Sequence, residues 1–403
     1  MNAMGFERIL GGVCAPKGFL ASGVACGIKA EGKPDLALLY SEFPAAAAGV
    51  FTTNEMKAAP VKLCKEIVDG PCARAVVINS GCANAMTGKR GDDDAHAMVR
   101  FAEKALGVGA GQVLVASTGH IGEYLLVDKV TSGIKQAVDE LSVGGNTDAA
   151  KAIMTTDSYP KELAAEMEIG GKVVRLGAMA KGAGMMHPNM ATMIAVITTD
   201  LALPRERMSD WLKKSVEWSF NRITVDGDQS TNDTVLMLAN GAAFPDGHVL
   251  TDEEADLFFR VLCWLTGRLA RSLVKDGEGA GKLLRVVVNS ARDDVEAERV
   301  ARAIANSNLV KCSLYGGSVN VGRIAAAAGS AGVSIEQSKL AIYVGEHKVV
   351  EFGEPVEHDP RDIEKMTRRG EVEVTVSLGV GLAAAQILTC DLSKEYVAIN
   401  AGE

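Results

Sequence analysis

Strand-like and helix-like segments alternate along the whole chain, and that alternation predicts an α/β protein. Two further observations support this. The chain has 403 residues, 47% of them hydrophobic and 23% charged, which suits one large domain or two modest ones around a substantial core. The stretches that carry reactive side chains also fall where strands end or loops begin, the places where a scaffold presents chemistry.

In chain order, Ala75-Val76-Val77-Ile78 and Val113-Leu114-Val115-Ala116 read as short buried strands that end in polar or glycine-rich loops. Between them Ala95, Met98, Val99, Ala102 and Leu106 share one helical stripe, with Asp92 to Asp94 at the end where the helix dipole favours anions. Leu126, Val130, Ile134, Val138 and Leu141 form a second stripe. The run Ile194-Ala195-Val196-Ile197-Thr198-Thr199 predicts a strand. Pro204 starts a helix carrying Met208, Trp211, Leu212 and Val216, and a longer helix is expected from Glu253 towards Leu273. The polar, turn-like stretch Asn289-Ser290-Ala291-Arg292-Asp293-Asp294 marks a candidate boundary near residues 290–300.

Composition removes several function classes. A net charge of −9 argues against nucleic acid or an anionic membrane as the main partner. No apolar run reaches the roughly 18 residues of a membrane span, and no charged-then-apolar leader is seen, so a cytoplasmic protein is expected. Cys14, Cys26, Cys64, Cys72, Cys82, Cys263, Cys312 and Cys390 are scattered without a C-x-x-C pair, which reads as free thiols. The six histidines show no H-x-x-x-H spacing, so no metal site is expected. Gly277-Glu278-Gly279-Ala280-Gly281-Lys282 imitates a phosphate loop, but Asp276 stands where glycine is needed and Leu283 where serine or threonine is needed. Asp226-Gly227-Asp228 lacks the remaining spacing of a calcium loop and suits local hydrogen bonding.

The most informative stretch is Lys181-Gly182-Ala183-Gly184-Met185-Met186-His187-Pro188-Asn189-Met190-Ala191-Thr192-Met193. On pattern alone it fits either of two descriptions. It suits a surface loop entering a strand, since Ala-Thr before a strand is common. It also suits a self-cleaving bond, with glycines that permit a distorted backbone and a threonine hydroxyl that attacks the Ala191 carbonyl. Cleavage would leave Thr192 with an α-amine of pKa about 7.7–8.0, able to act as base for its own hydroxyl.

Eight ordered motifs favour the second description. They are Gly11 to Phe19, Gly49-Val50-Phe51-Thr52-Thr53-Asn54, Asn79-Ser80-Gly81-Cys82-Ala83-Asn84-Ala85, Ser117-Thr118-Gly119, Met154-Thr155-Thr156-Asp157, Lys181 to Thr192, Ile223 to Thr234, and Glu278-Gly279-Ala280 with Tyr396-Val397-Ala398-Ile399-Asn400. Together they cover nearly the whole chain, which on them resembles the ornithine acetyltransferase (glutamate N-acetyltransferase) family of arginine biosynthesis. The resemblance implies a sandwich of two facing β-sheets between helical layers, of the self-processing Thr/Ser acyltransferase and aminopeptidase type. It implies cleavage between Ala191 and Thr192 into an α fragment of residues 1–191 and a β fragment of residues 192–403, with a smaller subdomain from about 295. Two such pairs would associate as an α2β2 heterotetramer. The implied reaction moves an acetyl group from N-acetyl-ornithine to glutamate through an acetyl-threonine. No cofactor is required, and acetyl-CoA is an additional donor in some members.

By the same resemblance Thr192 is the nucleophile, while the Thr118 hydroxyl and the Gly119 N–H form the oxyanion hole. Thr155, Lys181, Thr192, Glu278 and Asn400 surround the substrate, with Glu278 recognising the amine. Departures from the family pattern are His120, Gln229, Gly281 and the Ser318 to Arg323 stretch with Val321, which lacks the family's proline and tryptophan. A terminal Ser or Thr contact also has no counterpart, so self-cleavage is expected to survive while amino-acid affinity or specificity changes. Two other readings stay open: a related N-terminal-threonine amidase or aminopeptidase in which water replaces glutamate, and a non-catalytic amino-acid-binding relative.

Overall fold

The computed structural model describes residues 5–187 and 193–402. Contacts divide the chain into two compact units. The first is built from most of the residues up to Leu273, and the second from Val274 onward together with Gly184–Pro188 and Arg222–Asp228.

The strands of the first unit are β1 (Phe6–Ile9), β2 (Phe19–Val24), β3 (Leu36–Phe51), β4 (Ala73–Cys82), β5 (Val113–His120), β6 (Lys161–Ile169), β7 (Lys172–Lys181), β8 (Ile194–Thr199) and β9 (Thr234–Ala239). Its helices are α1 (Ala59–Ile67), α2 (Gly88–Leu106), α3 (Val127–Asp139), α4 (Asn146–Ala152), α5 (Arg205–Glu217) and α6 (Asp252–Lys275). The sixteen-residue β3 joins two sheets. Its first half pairs with β2 and β4; after a register break between Tyr40 and Ala45, its second half pairs antiparallel with β9. The nine strands are hydrogen-bonded continuously through β3, and its break divides them into a sheet β2-β3-β4-β5 and a sheet β1-β6-β7-β8-β9-β3.

These sheets face each other, as the sandwich expectation requires. Leu39, Val77 and Val115 of one and Met179, Val196 and Leu236 of the other belong to a single buried cluster. Strands covered on both faces lose the polar alternation of a half-solvated sheet, which is why Ile194–Thr199 is buried at every residue. The stripe of α2 buries Ala95, Met98, Val99 and Ala102 as its spacing predicts. Pro204 caps α5, and α6 runs one residue earlier and two later than expected. It packs on β1 through Phe6 edge-on to Trp264, with ring centroids 5.0 Å apart.

The second unit holds a mixed sheet ordered β13-β12-β11-β14-β10-β15. Its strands are β10 (Leu283–Ala291), β11 (Ala341–Val344), β12 (His347–Glu351), β13 (Glu354–Pro355), β14 (Glu371–Ser377) and β15 (Ala383–Cys390). Its helices are α7 (Asp294–Ala305), α8 (Asn308–Tyr315), α9 (Val321–Gly329), α10 (Pro360–Thr367) and α11 (Lys394–Ala401). Val300 and Ile304 of α7 and Ile324 of α9 close a separate core over Val286 and Val374. The Asn289 to Asp294 stretch spans the end of β10 and the start of α7, with only Arg292 and Asp293 between them, and Asp293 caps the helix by accepting the Glu296 N–H.

Leu236 is fully buried between the two sheets of the first unit. Leu236→Ala is expected to cost about 2–5 kcal/mol, seen as a lower denaturation midpoint with an unchanged m-value.

Candidate functional site

The centre of the first unit's site is a buried carboxylate. Asp157 accepts Lys161 Nζ at 2.7 Å and the Gly182 N–H at 2.7 Å on Oδ1, and the Thr155 N–H at 3.0 Å on Oδ2. Lys181 Nζ stands 4.0 Å from the same Oδ2. Lys161 and Lys181 are each only 2% exposed. Burial alone would push the Asp157 carboxyl up, but Lys181, Lys161 and the Gly182 N–H outweigh it and hold the group down at about 2. One carboxylate thereby ties the Thr155 loop, the start of β6 and the end of β7 together.

Lys181 is the last residue of β7, and its ammonium donates to Thr118 Oγ1 at 3.3 Å. With an oxygen lone pair of Thr118 occupied, the hydroxyl hydrogen is left to donate elsewhere, as an oxyanion-hole donor must. Gly119 follows at φ +133°, and a Cβ there would lie 2.2 Å from the Gly81 carbonyl carbon on β4. Only glycine fits this close approach of two backbones. The same stretch is braced from behind. Asn232 Nδ2 donates to the carbonyls of Ala83 and Ser117 at 2.6 and 2.8 Å, and Ser117 Oγ donates to Asn79 Oδ1 at 2.5 Å.

Lys29 lies on the same flank, its ammonium donating to the Met154 carbonyl at 2.6 Å and the Pro34 carbonyl at 2.8 Å. Burial pulls its pKa down to about 8; Asp35 opposes the shift and Lys181 adds to it. Two neighbouring strands continue the row from Lys181. Lys181 of β7 is opposite Ile194 of β8, which is opposite Thr234 of β9. Just ahead of that row, the Met193 N–H donates to Asp233 Oδ1 at 3.0 Å. Ala191 and Thr192, the expected scissile pair and nucleophile, lie outside the described residues.

The second unit gathers the other expected substrate contacts. Asn400 Nδ2 donates to Glu278 Oε2 at 2.8 Å and to the Tyr396 carbonyl at 3.0 Å. Gly184 makes room for this carboxylate, since a Cβ there would sit 2.4 Å from Glu278 Cδ. Asp226 accepts the N–H groups of Met185, Met186 and Asp228 at 2.5, 2.8 and 3.1 Å, the local bonding role expected of Asp226-Gly227-Asp228. Burial pushes the Tyr396 hydroxyl up, and the Asp226 and Glu278 carboxylates push it further, so it stays a neutral donor. Gly281 is pinned by Asp391, which accepts its N–H at 2.8 Å and that of Lys282 at 2.9 Å.

Thr118, Gly119, Thr155 and Lys181 are thus brought together in one unit, and Glu278 with Asn400 in the other. His120, one of the departures from the family pattern, is exposed. All eight cysteines are free, and burial lifts the thiols of Cys14, Cys26 and Cys64 to about 12. Among the described residues no helix is long and apolar enough to cross a membrane. Sequence reasoning did not single out Asp157, Lys161, Lys29, Asn79, Asn232 or Asp233. Asp157, Asn79, Asn232 and Asp233 stood inside motifs already quoted; Lys161 and Lys29 carried no signal.

Known proteins resemble this chain along nearly all its length. The ArgJ family model matches residues 20–402. An arginine biosynthesis bifunctional protein ArgJ from Symbiobacterium thermophilum is 45% identical over 396 residues, covering 98% of each chain. Its counterpart from a Synechocystis species is 41% identical over 406 residues, again covering 98% of each. Among solved structures, an ornithine acetyltransferase from Mycobacterium tuberculosis complexed with ornithine is 45% identical over 45% of this chain and 98% of its own, with a TM-score of 0.43.

The Asp157 cluster generates a signed pH prediction. A carboxyl held at about 2 against an ordinary 3.8 adds stability above pH 4 and loses it as pH falls towards 2. Asp157→Asn leaves two buried ammonium groups without their anion and is expected to cost about 3–5 kcal/mol near neutral pH. Thermal unfolding followed across pH 2–7 should show wild type losing its advantage over the variant at the acid end.

Proposed function

Because this chain belongs to the ArgJ family, we propose that it transfers an acetyl group from N2-acetyl-L-ornithine to L-glutamate after cutting itself between Ala191 and Thr192. The observation that carries the reading is the buried Thr118–Lys181–Asp157 arrangement at the end of β7, the strand that leads into the cleavage segment. Thr192 attacks the acetyl carbonyl, with its own α-amine as base. Negative charge on the carbonyl oxygen is met by the Thr118 hydroxyl and the Gly119 N–H. Ornithine leaves, and glutamate collects the acetyl group in a ping-pong cycle.

An amino acid with a further charged group needs a cation for its carboxylate and an anion for its amine. Lys181 supplies the first and Glu278, oriented by Asn400, the second; Thr155 adds a polar contact. The acyl group arrives on its own amide, so the cycle requires no cofactor, and acetyl-CoA is a second donor to be tested directly. Residues 1–191 and 192–403 are the fragments of the mature protein, and two pairs form the α2β2 assembly.

Denaturing electrophoresis of purified protein should give two bands, each about half of 42.2 kDa. Thr192→Ala should fold, stay as one band and lose transfer; transfer persisting in that variant would exclude Thr192 as nucleophile. Mass spectrometry after incubation with N-acetyl-ornithine should show one acetyl group gained on the C-terminal fragment. Gly119→Ala should add about 1–3 kcal/mol of backbone strain and lower kcat by about 100-fold or more through the lost donor geometry.

A further inference from the structure

One lysine of the second unit is buried with neutral oxygens as its partners. Lys311 of α8 is 2% exposed. Its ammonium donates to the Val225 carbonyl at 2.7 Å, to Thr389 Oγ1 at 3.0 Å and to the Cys390 carbonyl at 2.6 Å. Cys390 Sγ lies further off, at 3.8 Å. An ammonium has three hydrogens, and three oxygens of the protein take them, so Lys311 has none left for a substrate group. A buried charge is also a weak source of stability, since apolar side chains of similar volume often serve as well in such a place. What the ammonium contributes lies in the segments that its oxygens belong to.

Both carbonyls belong to residues that directly precede an aspartate, and each aspartate clasps the backbone of a loop. Asp226, after Val225, accepts the Met185 and Met186 N–H groups at 2.5 and 2.8 Å. Asp391, after Cys390, accepts the Gly281 and Lys282 N–H groups at 2.8 and 2.9 Å. The two loops meet at Glu278. A Cβ on Gly184, at the start of the first loop, would lie 2.4 Å from Glu278 Cδ. In the second loop, Gly277 packs on both residues that Lys311 holds: a Cβ there would lie 3.1 Å from Cys390 Sγ and 3.3 Å from Val225 Cγ2. The same loop closes through the Ala280 N–H, which donates to the Gly277 carbonyl at 2.8 Å. It is also tied to α8, because Lys282 Nζ donates to the Leu314 carbonyl at 2.7 Å.

We propose that Lys311 is the positioning residue for the carboxylate that binds the substrate amine, fixing Glu278 by holding Val225 and Cys390 on one cation. This deepens the proposed function and rests on its assignment of Glu278 to the amine. Asn400 orients the Glu278 carboxylate at its tip, and Lys311 places the backbone that carries it. Without the ammonium, two buried carbonyls that share one partner are left unbridged, and such groups separate or draw in water. Gly277 rests on both residues and moves with them. Thr118 and Gly119, which meet the developing charge, belong to the first unit. The loss therefore falls on substrate binding and spares the acyl chemistry.

Lys311→Met keeps the length of the side chain and removes its charge and its donors. The full chain carrying it should fold with wild-type circular dichroism and mature. KM for N-acetyl-ornithine should rise about 10- to 100-fold, the scale of a lost hydrogen bond to a charged group. kcat should stay within about threefold, the pattern of lost binding. Because the effect runs through Glu278, its factor should vanish once that carboxylate is gone. The KM of Glu278→Gln combined with Lys311→Met should match that of Glu278→Gln alone within about twofold. Factors that multiply in the double variant, or a wild-type KM in folded Lys311→Met, would overturn the proposal. Should Lys311→Met not fold or mature, Asp391→Ala decides, since it breaks the same path one step later. There KM should rise with kcat kept, and an unchanged KM would overturn the assignment. A wild-type KM in Glu278→Gln by itself would remove the reading of Glu278, and this inference with it.

Discussion

Everything in the first unit's site leans on one buried anion between two buried cations. Removing Asp157, Lys161 and Lys181 from water is expensive, and their mutual attraction offsets that cost only if the geometry is held. The holding is done by backbone: the Thr155 and Gly182 N–H groups both end on Asp157. Strand ends that would otherwise fray are fastened to the same carboxylate, so Lys181 reaches Thr118 from a rigid base.

Around this cluster the constraints are backbone proximity and amide bracing. β4 and β5 approach so closely at Gly81 and Gly119 that no side chain fits, and the Asn232 amide spans two carbonyls that would otherwise sit unsatisfied in the core. The end of β5 is held by the Asn79–Ser117–Asn232 chain of hydrogen bonds.

Much of this was legible beforehand, and the rest was not for identifiable reasons. Buried strands announced themselves through β-branched runs such as Ile194–Thr199, and helices through stripes such as that of α2, because periodicity survives in a single sequence. Thr118, Gly119, Lys181, Glu278 and Asn400 stand out as candidates because whole motifs match a family pattern. Asp157 and Asp233 were passed over although they stood in those motifs, because their importance depends on what lies opposite them in space. Asp157 matters through Lys161 and Lys181, and Asp233 through an N–H forty residues earlier in the chain. Burial of that kind leaves no local spacing to read. Lys29 was invisible for the same reason, its ammonium being spent on two carbonyls of distant loops.

Consider finally where the two halves of a cut chain would be fastened. β7, upstream of Thr192, is paired through Leu176–Lys181 with the whole of β8 downstream of it. Past β7, the N–H groups of Met185 and Met186 remain clasped by Asp226, itself on the downstream half. Were the chain cut between β7 and β8, the two pieces would still share one sheet of the first unit, and dilution alone would not part them.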